Sequence, residues 1–335
     1  MSDFALPRAV FLSSNDHSPM FGVFSPSCRA RLRRLLELPE RVFVPADEIP
    51  ADTEYVFSTW GMPALTEAEI AARLPRLKAV FYAAGSVQAF ARPFLARGIA
   101  VHSAYGANAV PVAEVTCAEI ILANKGFYQT SRVFRESGKP ASTALLSHYP
   151  GNYNTRVGLL GAGMIGSLVA EKLRDYALET LVFDPFVSDG RLAALGARRA
   201  SLEEIFETCG VVSNHLANNE RTRGMLGYAL FSRMQPYATF LNTGRGAQVC
   251  EDDLVRALRE VPTRTAVLDV TFPEPPEAGH PFYTLPNVVL TPHLAGSMQN
   301  EVARMGEYMA DECERVLSGA PARWQVTAAM LETMA

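Results

Sequence analysis

His293 follows a short apolar run in the segment VVLTPHLAGS, residues 288–297. The run Val288–Thr291 is apolar or β-branched, which predicts a buried strand, and Pro292 ends it. His293 is therefore expected just past the carboxyl end of that strand, where open α/β sheets bind their ligands. A lone histidine is more often an ordinary surface-loop residue, so its role depends on what other strands place beside it.

Two further strand ends carry charged side chains in the same half of the chain. Arg245 lies between two glycines in ATFLNTGRGAQV, and Asp269 and Glu274 follow the apolar run in TAVLDVTFPEPP. Taken singly, each has a structural explanation: Arg245 as a surface-loop residue, Glu274 as a turn carboxylate and Asp269 as a cap. In a parallel sheet, however, successive carboxyl ends share one edge, so these side chains and His293 are expected to converge.

This set of side chains fits the reduction of a 2-oxo acid. Such a reaction needs a cation for the carboxylate, a hydride donor and an acid that protonates the carbonyl oxygen. Arg245 offers a permanent charge and a planar fork that matches a carboxylate, and it would also polarise the carbonyl. His293 is the candidate acid or base. Glu274, by bonding the second ring nitrogen, would fix the tautomer and favour the imidazolium.

The segment RVGLLGAGMIGSLVAEKL, residues 156–173, predicts where the hydride donor binds. The pattern Gly161-x-Gly163-x-x-Gly166 stands directly after an apolar strand and directly before a helical run, as a dinucleotide-binding βαβ unit requires. Gly161 permits the tight turn, Gly163 lets the backbone approach a pyrophosphate, and Gly166 lets helix and strand pack closely. The helix N-terminus around Met164 and Ile165 would face the phosphate charge.

Asp184 ends the next strand, eighteen residues after Gly166. Its carboxylate would accept hydrogen bonds from the adenosine ribose hydroxyls and repel a 2′-phosphate, which favours NAD over NADP. Arg191, farther along the chain, has the charge to weaken that preference. Methyltransferases bind nucleotides in similar folds, but they do not need the strand-end residues described above.

Short apolar runs alternate with helical patterns along the chain, which predicts parallel βαβ units with helices on both faces of a sheet. Capping boxes at Thr66/Glu69 and Ser201/Glu204 open two of the helices, and Pro75 stops the first. The fold class is therefore α/β, with two doubly wound parallel-sheet domains. The predicted strands are residues 9–13, 41–45, 55–59, 77–84 and 99–104, then 156–161, 179–184, 210–215, 238–243, 265–270 and 287–292.

Longer helical segments connect and close these series. A helix is expected across residues 109–137, an irregular glycine- and proline-containing link across 138–154, and a final helix across 298–319 with no strand after it. The first helix carries several arginines among leucines, and a solvated helix face explains them better than a phosphate-binding stripe. These arginines are Arg29, Arg31, Arg33 and Arg34.

Composition narrows the classes of protein to consider. Of 335 residues, 48% are hydrophobic and 20% charged, and the net charge of −4 gives no attraction to nucleic acid or an anionic membrane. The five cysteines are scattered without C-x-x-C or Cys/His metal spacing, so we expect a reduced cytoplasmic protein without a metal site. The N-terminal apolar run is too short for a signal peptide, and every apolar segment is expected to be interrupted before membrane-spanning length.

Six segments extend the pattern over nearly the whole chain. They are NAVPVAE (108–114), VGLLGAGMIG (157–166), HLANNERTRGML (215–226), LNTGRGAQVCEDDLVRAL (241–258), LDVTFPEPP (268–276) and LPNVVLTPHLAG (285–296). With these segments the chain resembles the D-isomer-specific 2-hydroxyacid dehydrogenase family, which includes glyoxylate, hydroxypyruvate, D-lactate and phosphoglycerate dehydrogenases.

The resemblance implies roles for individual residues. Arg245 would bind the substrate, and Glu274 and His293 would form the acid–base pair. Asp269 would hold the nicotinamide carboxamide. Further cofactor contacts would come from Leu216, Ala217, Asn218, Thr243, Gly244 and Gly296.

The resemblance also implies an arrangement of domains. Residues 1–106 and 297–335 would form a discontinuous, flavodoxin-like substrate domain, and residues 107–296 a Rossmann NAD-binding domain. Members of the family are usually homodimers built through the cofactor domain and the helix near Val112–Tyr128, so a homodimer is expected.

Two segments depart from the family pattern. The substrate loop usually reads G-x-G-x-D, whereas FYAAGSVQAF has Ser86 at the second glycine region and no acidic residue after it. The backbone N–H groups of Gly85 and Ser86 are still expected to bind the substrate carboxylate. In HLANN, Ala217 and Asn219 replace the proline and threonine of the usual H-x-P-x-T. Trp60 is a candidate wall of the substrate pocket, with a packing role as the alternative.

Two rival functions share this scaffold. Formate dehydrogenases are similar in fold but normally lack a glutamate beside the histidine, so Glu274 argues against them. Co-repressors of the C-terminal-binding-protein type keep the three residues, sense a dinucleotide and recruit partners. This chain carries no charged or disordered tail of the kind that recruitment would suggest. The residues therefore favour an NAD-dependent oxidoreductase acting on a small 2-oxo or 2-hydroxy acid of D configuration.

Overall fold

The computed structural model of the protein describes residues 5–16 and 18–332. The outer ends of the predicted substrate domain, residues 1–4 and 333–335, lie outside the described residues. The strands are β1 Arg8–Leu12, β2 Val42–Phe43, β3 Thr53–Ser58, β4 Ala79–Tyr82, β5 Ala100–Ser103, β6 Tyr153–Leu160, β7 Ala177–Phe183, β8 Ala197–Arg199, β9 Val211–Asn214, β10 Thr239–Asn242, β11 Thr265–Leu268, β12 Val288–Leu290 and β13 Gln325–Val326. The helices are α1 Met20–Val23, α2 Pro26–Leu32, α3 Glu67–Arg73, α4 Ala91–Ala96, α5 Tyr105–Asn124, α6 Phe127–Leu146, α7 Met164–Leu173, α8 Asp189–Ala194, α9 Leu202–Thr208, α10 Tyr228–Phe231, α11 Glu251–Glu260 and α12 Val302–Leu317.

The chain divides into two compact units. The first runs up to Ala109 and resumes at Ser297, and the second is Val110–Gly296. Helix α5 runs across this division without a break, so the apolar pattern of the sequence does not mark the boundary between the two units. The sequence prediction places the boundary slightly earlier, after residue 106.

The first unit is built on a six-stranded sheet in the order β13-β5-β4-β3-β1-β2. The strands β1 to β5 are parallel, and β1, β4 and β5 are buried over most of their length. Their predicted positions are confirmed, because a strand covered on both faces reads as a continuous apolar run. The capping box at the start of α3 is present, with Thr66 and Glu69 exchanging hydrogen bonds.

The prediction that no strand follows the final helix is wrong. After α12 the chain returns as β13, which pairs antiparallel with β5 through Gln325↔His102 and Val326↔Val101. A strand of two residues has no periodicity to detect. It is held instead by the buried Glu312 carboxylate, which accepts the N–H groups of Arg323 (3.0 Å) and Trp324 (2.9 Å).

The second unit is a seven-stranded parallel sheet in the order β12-β11-β10-β9-β6-β7-β8. Six of its strands match the predicted ones in position. The prediction that Val288–Thr291 is buried is wrong, because β12 at the edge of the sheet is only half-buried. Strand β8 was not predicted, because a three-residue segment with two exposed arginines lacks an apolar run. Ser201 caps α9 as expected, and its hydroxyl accepts the Glu204 N–H at 3.1 Å. The α/β class with two doubly wound sheets is therefore confirmed.

The helical segment after β5 differs from its prediction in two ways. The expected continuous helix is broken into α5 and α6 by Gly126, whose φ of 67° is left-handed. The expected irregular link is wrong over most of its length, because α6 continues to Leu146 through a kink at Gly138. Gly138 and Pro140 are local signals for a break, and the tertiary structure overrides them with a kink.

The expectation about membrane-spanning length is also wrong for one element. Helix α5 is long and apolar enough, by length and composition, to cross a membrane. It is 61% buried inside the protein over the apolar window, as the core helix of a globular domain is.

The predicted solvated face is wrong for two of the four arginines of the first predicted helix, whereas Arg34 is exposed as expected. Arg29 is only 9% exposed and donates to the Phe24 carbonyl at 2.6 Å and to Glu40 at 3.0 Å. Arg31 pairs with Asp311 at 2.6 Å and with Glu314. Arg31 thereby holds α12 to this helix, and Arg29 binds the segments on either side of it.

Candidate active site

The three strand ends that carry Arg245, Asp269 and His293 belong to adjacent parallel strands. In the ladder, Asn242 of β10 is level with Leu268 of β11, and Leu268 is level with Leu290 of β12. The structure therefore brings these strand ends to one edge of the second unit, as the sequence predicts.

His293 and Glu274 form the predicted hydrogen-bonded pair. His293 Nδ1 lies 2.6 Å from Glu274 Oε1, and nearly half of each side chain is exposed to solvent. The other ring nitrogen, Nε2, is left for a reacting atom. His293 also has a φ of 55°, a strained conformation for a residue with a side chain, and such strain concentrates at functional sites.

Asp269 organises the loop on which His293 lies. Its Oδ1 accepts from Thr291 Oγ1 at 2.6 Å and from the Leu294 N–H at 2.8 Å. Its Oδ2 accepts the Ala295 N–H at 2.9 Å, and its backbone carbonyl accepts the His293 N–H at 3.1 Å. Asp269 thereby fixes the backbone of the His293 loop, which agrees with the capping role that the sequence offers as an alternative. The nicotinamide contact assigned to it stays a prediction.

The turn that carries Glu274 is held by Glu251 and Gly246. Glu251 Oε1 accepts the Phe272 N–H at 2.7 Å, and burial raises the pKa of Glu251. A side chain at Gly246 would collide with the backbone of Thr271, so only glycine lets these two turns touch. Neither residue was singled out from the sequence, because their partners are known only once the strands are aligned.

The Arg245 guanidinium is partly buried and forms no ion pair with another described residue. Burial lowers its pKa, and the nearby Glu274 carboxylate acts in the opposite direction. Its Nη1 donates to the Gly244 carbonyl at 2.8 Å, and no carboxylate of the described residues lies within ion-pair distance of it. Arginine remains charged even when its pKa falls moderately. The site therefore presents a positive charge that an anionic ligand would balance.

The glycine-rich turn has the form that its spacing predicts. Gly161 has a φ of 97°, and a side chain there would lie 2.7 Å from the His215 carbonyl oxygen. A side chain at Gly166 would overlap the Gly161 carbonyl, so α7 packs directly on the turn. At Gly163, the N-cap of α7, no other heavy atom lies within 4 Å of the position that a side-chain Cβ would take. This open backbone at a helix N-terminus, beside Met164 and Ile165, fits a dinucleotide phosphate.

Asp184 lies next to this turn and is only 9% exposed. Its carboxylate accepts the N–H groups of Ala162 at 2.8 Å, Phe186 at 2.8 Å and Val187 at 3.1 Å. The side chain thus holds the glycine turn to the end of β7. Its predicted bonds to the cofactor ribose stay a prediction.

The remaining predicted cofactor residues lie on loops after β9, β10 and β12. Leu216 is buried, Ala217 is half-buried and Asn218 is exposed. Thr243 is tied to α5 by a 2.8 Å hydrogen bond with Thr116, which sequence reasoning missed. His215 before this loop has its pKa lowered to about 4 by burial, so its ring is uncharged at neutral pH. Gly244 and Gly296 stand at the ends of the Arg245 and His293 loops.

Glu119 on α5 is a second group that sequence reasoning missed. Burial raises its pKa to about 7, and the Asp269 charge acts in the same direction. Its Oε2 is buried without a hydrogen-bond partner among the described residues. The only sequence feature that could have indicated this buried carboxyl is a single acidic residue within the apolar run CAEIILA.

The predicted substrate residues Gly85, Ser86 and Trp60 lie in the first unit. Gly85 and Ser86 follow β4, where Ser103 Oγ donates to the Gly85 carbonyl at 2.6 Å. Ser86 is exposed, whereas Val87 is fully buried and serves the core. Trp60 follows β3 and is 41% exposed, so packing does not occupy its whole ring. Across residues 5–16 and 18–332, no group of three or more His, Cys, Asp or Glu is arranged to hold a metal ion.

Residues 118–295 match the D-isomer specific 2-hydroxyacid dehydrogenase, NAD binding domain. A putative 2-hydroxyacid dehydrogenase of Bacillus subtilis is 34% identical over 60% of this chain and 59% of its own length. A glyoxylate reductase of Korarchaeum cryptofilum is 30% identical over 73% of this chain and 74% of its own. A D-3-phosphoglycerate dehydrogenase of Archaeoglobus fulgidus is 28% identical over 70% of this chain. This chain spans only 44% of the last relative and about half of several others.

Solved structures of similar fold cover almost the whole chain. The apo D-mandelate dehydrogenase of Rhodotorula graminis aligns over 96% of this chain and 97% of its own with a TM-score of 0.78, at 19% identity. A protein of Thermus thermophilus aligns over 95% of this chain and 100% of its own with a TM-score of 0.72, at 26% identity.

Proposed function

Because the chain belongs to the D-isomer specific 2-hydroxyacid dehydrogenase family and uses NAD, we propose that it interconverts a small 2-oxo acid and the matching D-2-hydroxy acid. The observation that carries this proposal is the His293–Glu274 pair on the same sheet edge as Arg245, a partly buried cation that forms no ion pair with any described carboxylate. One arrangement supplies both a proton carrier and a cation for a carboxylate.

Each step of the proposed reduction assigns a task to a residue of this chain. NADH, which the Gly161–Gly166 turn would hold, would supply the hydride for the carbonyl carbon. Arg245 binds the substrate carboxylate and polarises the carbonyl. His293 donates its Nε2 proton to the carbonyl oxygen, and Glu274 stabilises the imidazolium until that transfer. The products are the 2-hydroxy acid and NAD⁺, and the reverse reaction returns the proton to His293.

The direct test is NADH consumption with a series of 2-oxo acids. Glyoxylate, hydroxypyruvate, pyruvate and a bulky aromatic 2-oxo acid differ in side-chain size, so their ranking also tests Gly85, Ser86 and Trp60 as the substrate pocket. We expect turnover with at least one of them at about 1–10³ s⁻¹. Tight NADH binding without turnover on any of them would contradict the proposal and favour a dinucleotide-sensing binding protein.

Glu274→Gln is expected to lower kcat about tenfold and to shift the pH profile of reduction. The carboxylate stabilises the imidazolium through a 2.6 Å charge-assisted hydrogen bond, which a neutral amide weakens. Without that bond, the alkaline fall of the rate is expected to begin at lower pH than in the unmodified protein. The measurement is kcat against pH for 2-oxo acid reduction.

Glu277→Gln provides the matched control for this variant. Glu277 lies three residues farther along the same turn, is exposed, and is absent from the proposed chemistry. Its pH profile should match that of the unmodified protein. An equal shift in both variants, or none in Glu274→Gln, would remove Glu274 from the acid–base pair.

We further propose a homodimer formed through α5 and α6. The support is a set of large apolar side chains exposed on these helices. Exposing such a set to solvent is unfavourable, and a partner subunit would bury it. They are Leu122, Phe127, Phe134 and Leu146, between 37% and 54% exposed. Light scattering should give twice the chain mass of 36.5 kDa. Phe134→Glu should yield monomer, whereas Leu6→Glu, at an exposed site of the first unit, should not; a monomeric unmodified protein would exclude the dimer.

We also propose that the protein works in the reducing environment of the cytoplasm. All five cysteines are free, and four of them are buried. Unpaired buried thiols are typical of proteins that fold where disulfides do not form.

A further inference from the structure

Three buried amide side chains form one hydrogen-bond network in the second unit. Asn214 ends β9, Asn242 ends β10, and Gln248 closes the 3₁₀ turn Gly246–Gln248. Each is at most 1% exposed. Asn214 Nδ2 donates both to Asn242 Oδ1 at 3.0 Å and to Gln248 Oε1 at 2.6 Å.

The network reaches the backbone of the two loops that carry predicted site residues. The Leu216 N–H donates to Asn214 Oδ1 at 3.2 Å, and the Leu216 carbonyl accepts from Gln248 Nε2 at 2.7 Å. On the other side, Asn242 Nδ2 donates to the Arg245 carbonyl at 3.0 Å. The loop expected to line NAD and the turn that presents Arg245 are therefore joined through three side chains.

Such a network specifies geometry more than it adds stability. A buried amide is tolerated only when its polar atoms are bonded, and an apolar side chain of similar size would fill the same space without that demand. In the loop after β9, Ala217 imposes no backbone restriction of its own. Its carbonyl is tethered by the Thr222 hydroxyl, and Leu216 is tethered by the amides. The conformation of this loop thus depends on side chains from outside it.

We propose that Gln248 and Asn214 are positioning residues, which hold the Leu216–Asn218 loop in the form that binds NAD and couple it through Asn242 to Arg245. This inference rests on the proposed function for the role of Arg245, and on the family's use of NAD for the loop. Gln248 is fully buried, so we expect it to act through its bond to Leu216 and not by contact with a ligand.

The test compares Gln248→Met with Gln129→Met. Methionine keeps the length of glutamine but loses the donor to Leu216 and the acceptor for Asn214. Gln129 is the matched control: it is a buried amide of the same unit that bonds Thr263 and Thr265, away from the predicted site. NADH binding is titrated by fluorescence without substrate, and kcat and KM are then measured with a 2-oxo acid.

Gln248→Met should raise the Kd of NADH about tenfold. The KM of the 2-oxo acid should rise less, because the Arg245 carbonyl keeps its bond to Asn242. Gln129→Met should lower the melting temperature to a similar extent but leave the Kd of NADH within twofold. A Kd within twofold in Gln248→Met, or an equal rise in both variants, would overturn the proposal.

A second variant covers the case in which Gln248→Met does not fold. Gln248→Asn keeps an uncharged amide but is one methylene shorter, so it cannot reach the Leu216 carbonyl while it bonds Asn214. The same rise in the NADH Kd is expected and the same thresholds apply. If the unmodified protein reduces no 2-oxo acid while Gln248→Met still binds NADH tenfold more weakly, the proposed function fails and the positioning role stands.

Discussion

His293→Asn is expected to lower kcat for 2-oxo acid reduction by a factor on the order of 10²–10⁴, the range that a well-placed general acid supplies. The NADH Kd should stay within a few-fold. Asparagine is the informative substitute because it tolerates the left-handed backbone that His293 adopts, at a φ of 55°. The Asp269 carboxylate still holds the loop, since its bonds go to Thr291, Leu294 and Ala295. The loss would thus report the missing proton and not a displaced loop.

His280→Asn is the matched control for this prediction. His280 is another histidine of the second unit near a glutamate, with Nε2 3.6 Å from Glu251. Its Nδ1 caps the Phe282 N–H at 3.3 Å, a contact that asparagine at an N-cap can replace. We expect kcat within twofold for this variant. Turnover by His293→Asn within fivefold of the unmodified protein would exclude His293 as the acid.

The strand ends and the glycine turn were predictable because their signals are local. Four apolar or β-branched residues in a row, a proline and a glycine at fixed offsets are visible without knowing the fold. The His293–Glu274 bond was predictable only as a hypothesis from chemistry, because nineteen residues and a proline-rich turn separate the pair. Its geometry depends on Glu251 and Gly246, which no local pattern marks.

The wrong predictions concern side-chain contacts that no sequence periodicity marks. β13 exists because Glu312 on α12 binds the backbone of Arg323 and Trp324. Arg29 is buried because carbonyl oxygens from the preceding turn and Glu40 satisfy its guanidinium. Arginine is usually a surface residue, so the sequence predicts exposure. The folded chain supplies the hydrogen-bond partners that offset the cost of burying its charge.

Arg245→Lys is expected to lower kcat/KM for the 2-oxo acid on the order of 10²-fold, with the NADH Kd nearly unchanged. Lysine keeps a positive charge but not the planar fork that bonds both carboxylate oxygens. In this partly buried site, charge without the fork should leave the carboxylate poorly oriented and the carbonyl less polarised. Both KM and kcat should therefore change, which steady-state kinetics on Arg245→Lys would measure.

Arg264→Lys separates this effect from the general cost of altering a buried arginine. Arg264 is 4% exposed, and burial lowers its pKa as it does for Arg245. Its guanidinium bonds only backbone carbonyls, including that of Ser232 at 2.8 Å. The lysine variant should lose stability but keep kcat/KM within a few-fold. If Arg264→Lys loses as much kcat/KM as Arg245→Lys, or if Arg245→Lys is nearly as active as the unmodified protein, Arg245 does not bind the carboxylate. Rescue of Arg245→Ala by added guanidinium would point the other way, because it restores the fork without restoring the side chain.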